Sequence, residues 1–180
     1  MYITFPQFPK YKVYISLHQN ISSEKLQTIK ENLASQNSEY NYCFLNAHHI
    51  ISLAHLQQAI HRSVMNYSRG TMSAKTVNAE IILNLSPVNS IMDAFKNFGI
   101  REDCDSAIVV KIIEEDSNED VSEKLTKLVG PESELNDQVL FDLVDFKRFK
   151  KVYKLNDAKF THTQNDLSKL AIGACILRGC

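Results

Sequence analysis

At 180 residues, 44% of them apolar and 23% charged, the chain has room for one domain with a sizeable core and little room for two. A net charge of −1 excludes coating of nucleic acid by bulk electrostatics, and no apolar run approaches the roughly 18 residues that span a bilayer, so no membrane partner is expected. The opening MYITFPQFPK lacks the basic start and apolar stretch of a secretory signal; a reducing compartment is expected, with free thiols at Cys43, Cys104, Cys175 and Cys180.

In chain order, Lys12–Leu17 alternates with Val13, Ile15 and Leu17 on one side and predicts a half-buried strand. Ser23–Leu33 starts with a serine cap and carries Leu26, Ile29 and Leu33 at helical spacing. Tyr42–Leu45 predicts a second strand. Ser52 stands where an N-cap belongs, before a core helix bearing Leu53, Leu56, Ile60, Val64 and Tyr67 that ends near Arg69-Gly70. Asn78–Ile100 reads as an apolar strand over Ile81–Leu85, a Ser86-Pro87 break, and a short helix with Ile91, Phe95 and Phe98 on one side, stopped by Gly99. Ala107–Ile113 is β-branched and almost uninterrupted, as in a central strand covered on both faces.

From Glu114 the chain turns acidic, and the segment near 114–145 is expected to form a surface insertion or arm, with a helix over Val121–Val129 before the Gly130-Pro131 break. Lys147–Lys154 is basic, with Phe146, Phe149 and Tyr153 as its core-facing stripe. A closing helix near 165–178 gathers Leu167, Leu170, Ala171, Ala174 and Leu177 on one side, while Ile172 and Ile176 project nearly opposite, with Cys175 between. A helix apolar on two faces is either covered on both by the fold or keeps one face for a partner, and at a chain end the second is expected. The elements together predict an α+β fold: a single domain with a mixed, largely antiparallel sheet of about four strands packed against several helices.

No cofactor is expected. Five glycines form neither a Walker nor a dinucleotide-binding motif, and the cysteines form no C-x-x-C pair. His55 and His61, six residues apart, fall about 240° apart on a helix and cannot ligate one metal as i, i+4 histidines do. They read as polar residues flanking a core helix. Ser86 has no glycine flanks and no histidine adjoins a cysteine, so no nucleophile is written in the sequence. Asp93 belongs to a helix first turn, where the macrodipole stabilises it, and Glu80 at the start of its strand is expected to pair with a base such as Lys75. No catalytic residue follows, and an enzyme is not expected. Arg62, Arg69 and Lys75 flank the end of the long helix and lead into Met72-Ser73-Ala74-Lys75-Thr76-Val77-Asn78, which reads equally as a local basic patch able to touch RNA and as a solvated loop with scattered charge.

The Asn78–Ile100 segment resembles that of the small kinase-binding subunit of the KEOPS (EKC) complex, the PRPK-binding protein family. Pro6-Gln7-Phe8-Pro9 with Lys12-Val13, the Lys150–Leu155 block, and Leu167-Ser168 through Leu177-Arg178-Gly179 are similar to further blocks of that family, in order along the chain. The resemblance implies a non-catalytic subunit that binds and regulates the complex's atypical small kinase or ATPase and supports threonylcarbamoyladenosine formation on tRNA, with indirect contact to the other subunits. It also implies roles in telomere maintenance and transcription, and residence in nucleus and cytoplasm. Kinase-binding residues carried over by the resemblance are Leu170, Ile172, Ile176, Leu177 and Arg178. An alternative is recognition of the single-stranded CCA end of tRNA, as in archaeal relatives, through Arg62, Arg69 and Lys75. The usual Met-Lys-Thr-Arg-Thr-Leu-Asn pattern is altered here, with Ser73 in place of lysine and Lys75 in place of arginine, which removes the planar fork suited to phosphate.

Overall fold

The computed structural model describes residues 1–114, 120–155 and 163–178. Its centre is a four-stranded antiparallel sheet of β1 (Tyr2–Thr4), β2 (Tyr11–His18), β3 (Cys43–Asn46) and β4 (Ala107–Glu114), in the order β1-β2-β4-β3. The β-branched run is therefore an interior strand, as expected. It pairs with β2 from Tyr11↔Glu114 to His18↔Ala107 and with β3 from Cys43↔Val110 to Asn46↔Ala107. Every pairing is antiparallel.

Successive strand side chains face opposite ways, so this sheet builds two cores. Val13, Ile15, Leu17, Ile108 and Val110 point into the larger, which is completed by α2 (Leu53–Arg69), α3 (Val77–Leu85), α4 (Ile91–Phe98), α6 (Asp137–Leu143), α7 (Phe146–Val152) and α8 (Gln164–Ile176). Tyr14, Phe44, Ala107, Val109 and Ile113 point into the smaller, under α1 (Ser23–Ala34) and α5 (Val121–Leu128). Strand β2 is thus covered on both faces rather than half-buried, since all its residues but Lys12 are enclosed.

The local chemistry of the helices follows the caps. Ser52 accepts from the His55 amide to open α2, and Gly70, at φ +65, closes it in the left-handed conformation that costs glycine least. Ser22 opens α1, and Ser90 opens α4 with Asp93 in the first turn. Gly99 ends α4 for a steric reason, because a Cβ there would lie 2.7 Å from the Phe95 carbonyl oxygen.

Three expectations need correction. Ile81–Leu85 is not a strand; it is the second half of α3, capped by the Thr76 hydroxyl, with Glu80 through Leu85 all buried. An apolar run enclosed on all sides has no amphipathic period, so strand and buried helix look alike in sequence. The acidic segment is not an arm. Although residues 115–119 lie outside the described residues, Val121, Leu125 and Val129 are buried in the smaller core and Leu140 in the larger, so helices α5 and α6 close opposite faces of the sheet. Of the α7 stripe, Phe149 and the C-cap residue Tyr153 are core, while Phe146 sits at the rim, edge-on to Phe141.

His55 is fully buried at the heart of the larger core. Its Nδ1 faces the Ile51 amide, and its Nε2 lies 2.8 Å from the Tyr153 hydroxyl, which itself donates to the Leu85 carbonyl at 2.7 Å. Only the neutral tautomer protonated on Nε2 satisfies all three contacts. Burial pushes its pKa from the ordinary 6.5 down to about 3, and burial lowers those of His18 and His49 as well. The unfolded chain therefore binds a proton on His55 from about pH 6.5 downward, whereas the folded chain resists until about 3. Stability is complete above 6.5 and falls toward 3, by up to about 1.4 kcal/mol per pH unit from this residue. We expect the drop in melting temperature between pH 7 and pH 4.5 to be smaller in His55→Gln than in the natural chain; an equal drop would contradict the assignment.

Candidate functional site: the outer turn of the closing helix

Helix α8 opens on Thr163, whose hydroxyl accepts from the Asp166 amide, and packs mainly on α2. Its buried residues are Leu167, Ser168, Ala171 and Cys175. At 100° per residue these cover about 100° of the helix circumference. The buried face is displaced from the expected one, because Leu177, anticipated as a packing residue, is 66% exposed and Cys175 takes the core position. Two polar contacts account for the rotation. The Ser168 hydroxyl meets the Ser52 hydroxyl at 2.6 Å, and the Cys175 thiol donates to the Leu85 carbonyl at 3.2 Å. Burial pushes that thiol up to about 11.

The face turned from the body carries Ile176, 51% exposed, beside Leu177, with Leu170 and Ile172 partly covered. Adjacent isoleucine and leucine at the end of a helix, both in water, are costly to leave bare, by roughly 25 cal/mol for each Å² of apolar surface. Arg178 differs from its expected role. Instead of pointing to a partner, its guanidinium donates to the Leu83 carbonyl, to the Ser86 carbonyl at 3.3 Å and to Asn84 Oδ1 at 3.0 Å. Sequence reasoning missed Asn84 as its acceptor, and also missed exposed Val88, Ile91, Met92 and Phe95, of which Met92 is the barest at 81%. Met92 falls off the Ile91-Phe95-Phe98 stripe, which was the available signal.

The basic trio is not a single patch. Arg62 donates from Nη1 to the Cys175 carbonyl at 3.0 Å and so caps α8, while Arg69 and Lys75 are exposed at the end of α2 and in the loop after it. Glu80 does not pair with Lys75. Its carboxylate is fully buried and accepts from the Asn66 amide group at 2.7 Å and from the backbone amides of Ser73 at 3.0 Å and Ala74 at 2.8 Å. One acid thereby fixes the loop that presents Lys75 and the Thr76 cap of α3.

Beside that loop lies a cavity of about 840 Å³, bounded by α1, edge strand β3, α3 and α4, with Leu33, Phe44, Asn78, Ile82 and Phe95 among its walls. Among the described residues, no three His, Cys, Asp or Glu side chains converge as a metal site would require. His48 bridges the Leu143 carbonyl at 2.6 Å and Asp105 at 2.8 Å, and His61 lies edge-on to Phe5. These histidines serve packing and hydrogen bonding.

The sequence model of the family described as kinase binding protein CGI-121 matches residues 18–179. The chain belongs to that family. It is similar to the EKC/KEOPS complex subunit CGI121 of Debaryomyces hansenii, at 47% identity over 97% of this chain and 95% of the relative. The subunits of the same name from Candida albicans, at 47% identity over 98% and 97%, and from Schizosaccharomyces pombe, at 35% over 97% of each, are likewise similar along their whole length.

Replacement of Glu80 by Ala leaves the Ser73 and Ala74 amides without their acceptor. A loss of about 2 to 4 kcal/mol in unfolding free energy is expected, since charge-assisted bonds each contribute about 1.5 to 3. Denaturant titration measures it, and a loss below about 0.5 kcal/mol would show that the loop does not depend on this carboxylate.

Proposed function

We propose that this chain is a non-catalytic subunit of an EKC/KEOPS complex, that it binds the complex's atypical small kinase or ATPase through the outer turn of α8, and that it regulates that partner. The observation that carries the reading is the bare Ile176-Leu177 pair on a helix otherwise docked to the body. The family description and the names of the relatives support the nature of the partner. A role without chemistry of its own is supported by the engagement of Glu80 in holding backbone and of His55 and His48 in internal hydrogen bonds. Contact with the other subunits is then indirect, and support of tRNA threonylcarbamoyladenosine formation, telomere maintenance and transcription, in nucleus and cytoplasm, belongs to the same proposal.

Ile176→Asp places a carboxylate in the proposed interface while remaining in water in the free chain. The variant is expected to keep its melting temperature within about 2 °C and to lose co-purification with the kinase, at a cost above about 2 kcal/mol. Retained co-purification would refute the docking face.

A second reading, recognition of the single-stranded CCA end of tRNA, is favoured by the cavity beside Thr76 and Asn78. Phe95, 45% exposed on its wall, offers a stacking surface and Lys96 a cation. Arg62 drops out of this reading, being engaged on Cys175. Fluorescence anisotropy with intact and CCA-trimmed tRNA is expected to show weaker binding of the trimmed form, and Phe95→Ala should reduce the difference by about 1 to 3 kcal/mol for a lost base stack. Equal, salt-sensitive binding of both RNAs would eliminate tail recognition.

A further inference from the structure

We infer that Arg178 is a positioning residue, which latches the last turn of α8 onto the carboxyl end of α3 and so holds Ile176 and Leu177 in the orientation a partner meets. The inference rests on the docking reading above and names what makes that face rigid.

Helix α3 ends at Leu85, and its last-turn carbonyls lie beyond the regular helical ladder; that of Leu83 accepts from the Ser86 cap amide and keeps a lone pair for a second donor. A cation is stabilised at such an end by the macrodipole, and a guanidinium can bond several acceptors at once because its donors form a planar fork. Arg178 uses that fork on the Leu83 and Ser86 carbonyls and on Asn84 Oδ1. Arg62 makes the complementary contact from α2 to the Cys175 carbonyl at 3.0 Å, so two arginines cap two helices across one junction.

The final turn needs this support. No side chain between Cys175 and Arg178 is buried, and Gly173 lowers the helical propensity of the turn by about 1 kcal/mol relative to alanine. Without the latch, the turn is tied to the body only at Cys175, through its thiol and the Arg62 contact to its carbonyl, and nothing beyond Cys175 anchors Ile176 and Leu177. A partner would then have to order the turn as it binds, and that cost appears as faster dissociation. Arg178 is half-buried, and both its Nη groups are committed to the end of α3, so the part assigned to it in binding runs through the turn.

Asn84 separates positioning from contact. It is 1% exposed and cannot touch a partner, yet its Oδ1 receives Arg178, while its Nδ2 donates to the Ser63 hydroxyl at 2.9 Å. Dissociation of the full-length chain from its cognate EKC/KEOPS kinase is measured by surface plasmon resonance for Arg178→Ala, Asn84→Ala, the double variant and Ser63→Ala, with melting temperatures alongside. Arg178→Ala is expected to speed dissociation about tenfold and Asn84→Ala by a smaller factor. The double variant should be no worse than Arg178→Ala alone, because both remove one interaction. Ser63→Ala should be close to the natural chain.

Arg178→Lys, which keeps the charge without the fork, should fall between, and serves if Arg178→Ala does not fold. Unchanged dissociation in Arg178→Ala, faster dissociation in Arg178→Ala with none in Asn84→Ala, or a double variant that dissociates faster than Arg178→Ala by the full factor of Asn84→Ala, would overturn the inference. Ile176→Asp is included in the same series. If it dissociates as the natural chain does, the docking reading itself fails; if it alone weakens binding, only the latch fails.

Discussion

A buried helix that stops inside a protein leaves carbonyl oxygens that must find donors, and the carboxyl end of α3 imposes that condition on three other elements. The Leu85 carbonyl accepts from the Tyr153 hydroxyl at 2.7 Å and from the Cys175 thiol at 3.2 Å. The Leu83 and Ser86 carbonyls accept from Arg178. Behind Tyr153 stands His55, kept neutral by burial, with its Nε2 proton directed to the phenol oxygen. Helices α2, α7 and α8 therefore meet at one point, and the meeting is enforced by hydrogen-bond satisfaction as much as by apolar packing. An unsatisfied carbonyl there would cost about 1 to 3 kcal/mol, comparable with a large share of the stability of a domain this size.

The exposed turn is a by-product of that junction. Once Leu167, Ser168, Ala171 and Cys175 are committed to the body, the helical repeat carries Ile176 and Leu177 to the outside. On the proposed reading, such a docking surface separates affinity, assigned to two aliphatic side chains, from geometry, assigned to the arginines behind them.

Much of this was legible without coordinates where a local rule has a local cause. Ser52 and Gly70 bracket α2 because a hydroxyl cap and a left-handed glycine act over three or four residues, and β4 declared itself by β-branching in an interior strand. The α3 helix was read as a strand because Ile81–Leu85 is apolar on all sides, so burial from every direction erased its period. The acidic charge of the segment after Glu114 masked the spacing of Val121, Leu125 and Val129, which fill the smaller core. For α8, counting leucines as core and serine as surface rotated the packing face, since a Ser168–Ser52 bond across the chain cannot be seen in a wheel. Arg62 and Arg178 were read as groups for RNA and for a partner. Both are drawn instead to helix ends, whose carbonyls compete for cations and become neighbours only through the tertiary fold.

The central claim is that Ile176 and Leu177, and no other apolar face, are what the partner covers. Hydroxyl-radical footprinting of the full-length chain, alone and saturated with its cognate EKC/KEOPS kinase, reads side-chain exposure residue by residue. The account predicts strong protection of Ile176 and Leu177, with Met92, 81% exposed in the free chain, labelled equally in both samples. Protection of Met92 and Phe95 with undiminished labelling of Ile176 and Leu177 would contradict it.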